Sequence, residues 1–244
     1  MLKCSHILCK VDNISQVVRD YEALGFTMQW GSAPNRANNA LLWFEQGPFI
    51  EFFQIPKPLT YFIRPLGLFY GQVAGRRWSY WAKAASGWCD LALEPEEQDM
   101  EHTQGGAVDD GRDLTVIKEA IDLAGVATSR VIHGRRTRPD GQKVKYSLFA
   151  TEPLGLPFVV STYDPPQRPL RITHPNGARG VEWVKMEVAE HQMDLFHALS
   201  QNDKWLRVDT SSHIRHSKVI EVGLSGLCQT LDSKLLHGAV ITSV

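Results

Sequence analysis

His6 and Glu51 are the polar side chains whose type and placement could best do chemistry in this 244-residue chain. Each stands in an apolar frame: His6 beside Ile7 and Leu8, Glu51 among Phe49, Ile50, Phe52 and Phe53. A carboxyl held in hydrocarbon is expected to have a raised pKa, and an imidazole beside it completes an acid/base couple. The same two groups could instead be ligands to Fe(II), Mn(II), Zn(II) or Ni(II), with open positions at which a substrate could chelate through its oxygens. A plain hydrogen-bonded pair inside a sheet is the third reading, because buried polar groups find partners.

Both residues fall on strands predicted from the apolar pattern. In the run 3–11, Ile7, Cys9 and Val11 share one face, and His6, Leu8 and Lys10 share the other. Asp12 or Asn13 can cap a helix with the stripe Ile14, Val17, Val18, Tyr21 and Leu24, which Gly25 ends. Strands at 26–30, 40–44 and 49–55 complete a βαβββ unit over 1–56.

The order returns over 87–164. Cys89, Leu91 and Leu93 form a strand face, Leu114, Ile117, Ile121 and Ala124 a helix stripe, 138–141 a hairpin turn and 158–163 a closing strand. A third, shortened copy occupies 180–244, with Val184, Met186 and Val188 facing a helix through Met193, Phe196 and Leu199, and a last strand at 218–224. Internal repetition organises the chain. Two connectors interrupt it. Residues 57–86 concentrate Tyr61, Phe62, Phe69, Tyr70, Trp78, Tyr80 and Trp81, and are expected to form a helical cover over the first sheet's open face. Residues 165–179 are proline-rich and read as a strap between modules.

Six stretches in order carry a family resemblance: HILCKVDNI at 6–14, EALGF at 22–26, NAL at 39–41, FIE at 49–51, RTRPDG at 136–141 and HPNGA at 174–178. Together they resemble the glyoxalase-like branch of the vicinal oxygen chelate superfamily, over roughly 1–56 and 87–224. The resemblance implies an α+β fold of repeated βαβββ modules forming cupped mixed sheets. It also implies a metal site in which each paired module supplies one ligand from its first strand and a Glu from its last. His6 and Glu51 match the positions of module one. Matching the strands places Trp88 and Val160 at the positions of module two, so both of its ligands are missing. Trp183 makes the same replacement in module three, where Glu221 resembles Glu51 in context.

Further site candidates follow. Asp90 shares the predicted face of Trp88 and could reach inward. Asn39 resembles a recurrent Asn of the family pattern and could fix a ligand carbonyl. Arg136 and Arg138 alternate toward the groove and could meet a carboxylate or phenolate. Trp88 and Trp183 would make the groove aromatic, which suits a flat or greasy ligand.

Composition narrows the partners to small molecules. With 43% apolar residues and a formal charge of −1, the chain can bury a good core but offers no polycationic surface for nucleic acid. No apolar run approaches a membrane span or a secretion signal, so a cytoplasmic location is expected. Cys4, Cys9, Cys89 and Cys228 form no Cys-x-x-Cys pair and read as free thiols, with Cys4 and Cys9 on opposite strand faces. Serine-hydrolase, Walker and dinucleotide motifs are absent from the sequence. The leading expectation is an enzyme of the isomerase or lyase type, acting by proton transfer on a small oxygenated metabolite, with or without a metal. The alternative is a metal-free binding protein that sequesters a planar metabolite or drug. A homodimer is left open.

Overall fold

The central element is strand β1 (Leu2–Lys10), which has a strand of each module beside it. The computed structural model describes residues 2–56, 63–96, 112–200 and 203–244. Helix α1 (Ile14–Ala23) follows, capped by Asn13, whose side chain accepts from the Gln16 N–H, and stopped by Gly25 at φ +81°. Its buried residues Ile14, Val17, Val18 and Tyr21 recur at helical spacing and pack with Ile7 and Cys9 of β1. The chain then forms β2 (Gln29–Trp30), β3 (Asn39–Leu42) and β4 (Phe49–Phe53), which returns parallel to β1. The strand expected at 26–30 is confined to its last two residues.

Module two repeats the plan with β5 (Gly87–Pro95), helix α4 (Thr115–Leu123), β7 (Ile132–Thr137), β8 (Lys143–Phe149) and β10 (Phe158–Val160). Strands β6 (Ala127–Thr128) and β9 (Thr151–Glu152) pair apart as a short ribbon. The two modules join along the antiparallel β1–β5 pair into one eight-stranded sheet, ordered β2-β3-β4-β1-β5-β10-β8-β7.

The third segment forms a separate sheet of β11 (Gly180–Ala189), β12 (Leu206–Ser211), β13 (Lys218–Ser225) and β14 (Ile241–Ser243). Helix α5 (Met193–Ser200) connects β11 directly to its parallel neighbour β12, whereas in module one the parallel partner of β1 is the last strand, β4. The segment thus shares the strand–helix–strand opening of the other modules but pairs differently. Its Val184, Met186, Val188 and Val222 enter the same core as Ile7, Cys9, Leu91 and Leu93, so this sheet backs the helix-bearing face of the large one.

One irregularity in each central strand decides which side chains face which way. Pairing moves from Cys4↔Leu93 to His6↔Ala92, which leaves Ser5 as an extra residue in β1. It moves again from Leu8↔Asp90 to Cys9↔Trp88, which leaves Cys89 extra in β5. A bulge inverts the alternation beyond it. Cys4 and Cys9 therefore both enter the main core, contrary to the opposite faces expected from strict alternation. All four cysteines are free; three are buried and Cys228 is exposed.

The aromatic connector forms two helices, α2 (Ile63–Tyr70) and α3 (Gln72–Lys83); α3 packs over the face of the large sheet that carries no α1, and α2 meets α3 where Gly67 approaches Gly75. Tyr61 and Phe62 lie outside the described residues. Helix α3 is fastened by Arg77, which is buried and donates from Nη1 to Asp90 Oδ2 at 2.6 Å and from Nη2 to the carbonyls of Thr151 and Leu156. The Trp81 indole N–H donates to the same Asp90 oxygen at 2.6 Å. Among the described residues no helix is long and apolar enough to cross a membrane.

Candidate functional site

Under helix α3 the concave face of the large sheet holds a cavity of about 170 Å³, of the order that accommodates one ring-sized ligand. Its floor is built at period two from neighbouring strands: His6 and Leu8 of β1, Phe49, Glu51 and Phe53 of β4, Asn39 and Leu41 of β3. Module two adds Arg136, Tyr146, Leu148, Phe158 and Val160, with Tyr163 beyond β10. Trp78 and Trp81 of α3 close it from above.

His6 and Glu51 converge. Nε2 of the imidazole lies 3.5 Å from Oε2 of the carboxyl, and the other carboxyl oxygen accepts from the Asn39 amide at 2.8 Å. The His6 ring stacks on Phe49 at 4.6 Å between centroids and meets the edge of Phe158 at 5.8 Å. Asn39 is held close to Gly31, where a Cβ would fall 1.9 Å from the Asn39 side-chain oxygen. Arg136 reaches across the cup from β7, donating to the Gly31 carbonyl at 2.7 Å and to Gln167 Oε1 at 3.2 Å. Its charge thus ties the outer strands of both modules together at the mouth.

Burial sets the protonation of this group. It lowers the His6 pKa to about 3, with the Arg136 charge adding to the effect, so the imidazole is neutral at ordinary pH. Burial also raises the Glu51 carboxyl, while the Asn39 hydrogen bond and Arg136 pull it back. Tyr146 and Tyr163 are both raised, by burial first and the nearby Glu51 second. The two members of the couple therefore affect stability in opposite senses. The unfolded chain binds a proton at His6 below its ordinary pKa of 6.5, which the folded chain refuses until about pH 3. Stability from this group is complete above about pH 6.5 and is lost as pH falls through that window. Glu51 contributes fully below the ordinary carboxyl pKa, and its contribution fades as pH rises through the raised value. Urea unfolding at a series of pH values should show His6→Gln losing less stability than the native protein between neutral and acid pH; equal slopes would contradict a buried neutral imidazole.

Of the residues singled out from the sequence, His6, Glu51, Asn39 and Arg136 meet in this cavity. Others are placed elsewhere. Trp88 packs against the main core and donates its indole N–H to the Val240 carbonyl at 3.1 Å, because the bulge at Cys89 turns it to the helix-bearing face. The β1–β4 register sets His6 opposite Phe49, and the β5–β10 register sets Ala92 opposite Phe158, so Ala92 is the counterpart of His6. Asp90 does turn toward the cover, but its carboxylate is engaged by Arg77 and Trp81 and holds α3 in place. Trp183 lies in the second sheet against Gly223 with Arg207 over its ring at 4.7 Å, and Glu221 of that sheet accepts from the Thr242 hydroxyl. Arg138, past the end of β7, pairs with Asp140 at 3.1 Å.

Tyr146 was not singled out from the sequence. Its ring covers Gly134 on the paired strand, where a Cβ would fall 2.4 Å from ring carbons. A glycine opposite an aromatic residue across a hairpin is the signal that marks this position.

A metal held in the superfamily's manner does not fit these residues. Module one offers an imidazole and a carboxylate, but Ala92 and Val160 occupy the matching positions of module two with hydrocarbon. The Asn39 amide and the Arg136 charge already serve Glu51. No group of three or more His, Cys, Asp or Glu suited to a metal occurs among the described residues.

Two βαβββ modules joined edge to edge around a cupped face define the glyoxalase, or vicinal oxygen chelate, fold. The chain belongs to the glyoxalase-like domain family, whose model matches residues 4–201. A crystal structure of a hypothetical protein from Staphylococcus aureus superposes with a TM-score of 0.66 at 13% identity, covering 100% of both chains. A xylose isomerase-like TIM barrel/4-hydroxyphenylpyruvate dioxygenase fusion protein aligns over 92% of this chain and 36% of its own, at 14% identity and a TM-score of 0.45. No curated protein matches the chain.

Proposed function

We propose that the protein is a glyoxalase-like enzyme that moves a proton on a small, flat carbonyl compound without a metal, using Glu51 and His6 as its acid/base couple. The observation that carries this reading is the 3.5 Å approach of a neutral imidazole to a carboxyl with a raised pKa, at the floor of an aromatic cavity. A carboxyl of raised pKa can take a proton from a carbon next to a carbonyl and return it to a neighbouring atom, which is isomerase or lyase chemistry. Asn39 orients the carboxyl through its Oε1. The Arg136 guanidinium has five N–H donors and stands where negative charge developing on the ligand oxygen would be stabilised. Phe49, Phe53, Phe158, Trp78 and Trp81 supply the faces and edges that hold a ring.

Quenching of tryptophan fluorescence by a panel of aryl ketones and hydroxyaryl carbonyl compounds tests the cavity, and incorporation of deuterium from heavy water into the bound compound tests the chemistry. The proposal expects both for at least one compound class. Binding across the panel with no exchange would identify a sequestering protein instead, the role that the hydrocarbon at Ala92 and Val160 would suit.

A further inference from the structure

On the side of His6 away from Glu51 runs a second chain of polar groups. The His6 Nδ1 is 3.1 Å from the Ser5 hydroxyl oxygen, and that hydroxyl donates to Glu94 Oε2 at 2.7 Å. Ser5 and His6 are consecutive residues and would point to opposite faces of a regular strand; the bulge at Ser5 brings them together. Ser5 and His6 are buried; burial raises the Glu94 carboxyl, while the Ser5 hydrogen bond and Lys3 Nζ, 3.6 Å from the other Glu94 oxygen, pull it back, and at mildly alkaline pH the group is a carboxylate. Neither Ser5 nor Glu94 lines the cavity, so neither can touch a ligand there.

We propose that Ser5 and Glu94 are positioning residues that fix the His6 tautomer: Glu94 accepts the Ser5 hydroxyl proton, the Ser5 oxygen accepts the Nδ1 proton of His6, and Nε2 faces Glu51 as a bare lone pair. A hydroxyl whose proton is committed to a carboxylate has only its lone pairs left for the imidazole, which must then carry hydrogen on Nδ1. Nε2 and Glu51 Oε2 are then two acceptors 3.5 Å apart, so that an acid formed at Glu51 finds an acceptor in Nε2. Glu51 as a carboxylate takes the proton from the ligand's carbon, and Nε2 accepts a hydrogen bond from the carboxylic acid so formed until the proton is returned to the ligand. The catalytic meaning rests on the acid/base reading above, but the tautomer does not, and it can be measured with no ligand present.

The test is nitrogen-15 NMR of the full chain at mildly alkaline pH, with the His6 signals assigned by their loss in His6→Gln. The native protein should show His6 as the Nδ1–H tautomer. Glu94→Met removes the carboxylate, frees the Ser5 hydroxyl to donate to Nδ1, and should convert His6 to the Nε2–H form; Ser5→Ala should shift it the same way, toward the Glu51 carboxylate. Ser5→Thr keeps a hydroxyl and should keep the native tautomer. A native protein already in the Nε2–H form, or a tautomer unchanged in both Glu94→Met and Ser5→Ala, would overturn the proposal. A correct tautomer shift with no deuterium exchange on any ligand would leave the positioning intact and count against the enzyme reading alone.

Discussion

Glu51→Gln should lower the rate of deuterium exchange into a bound carbonyl compound by about 100- to 10,000-fold, the usual worth of a positioned acid/base group, while ligand affinity changes little. The amide matches the carboxyl in size, and its oxygen can still accept from the Asn39 amide that donates to Glu51 Oε1. It cannot take up a proton from carbon. His6 offers no substitute, since burial and the Arg136 charge hold its pKa near 3 and make it a weak base. Rate and affinity therefore separate in this variant. A parallel fall in both would point to a binding role for Glu51.

Arg77→Met should cost the fold about 3–5 kcal/mol, the usual penalty for leaving one member of a buried ion pair alone. Arg77 and Asp90 side chains are only 1% and 4% exposed, so water cannot replace the lost partner. The variant leaves the Asp90 carboxylate with the Trp81 indole N–H and the Leu91 N–H but no countercharge. Arg77→Met combined with Asp90→Leu removes both charges and should recover much of the loss. Urea unfolding of the two single variants and the double variant measures the coupling. Because Trp78 and Trp81 ride on the same helix as Arg77 and roof the cavity, Arg77→Met should also weaken tryptophan quenching by a ligand. Additive losses in the double variant would show that the pair does not hold the cover.

Apolar periodicity was enough to place most helices and strands, because each amphipathic stripe has one core to face. The stripe Ile14, Val17, Val18 and Tyr21 and the cap at Asn13 locate α1 within a residue or two of where it lies. The same alternation puts His6 on the face away from that helix. What alternation alone misses is the bulge. One extra residue at Cys89 turns Trp88 out of the cavity face, and one at Ser5 reunites Cys4 with Cys9 and brings Ser5 beside His6. A bulge is set by how two strands pair over many residues, and a single strand's pattern carries little trace of it. The role of Asp90 was hidden for a related reason. Its partner Arg77 comes from the cover, whose packing no periodicity within β5 reports. In the third segment the order of elements is visible in sequence, but the direct return of β12 beside β11 depends on tertiary packing.

The proposed proton transfer is carried by the His6–Glu51 couple and needs no metal. Deuterium exchange into a bound carbonyl compound, measured on protein treated with a strong chelator and then dialysed, tests it most directly. Exchange that continues at the native rate after chelation and is lost in Glu51→Gln is the predicted result. Exchange that stops on chelation and returns with an added divalent cation would contradict it.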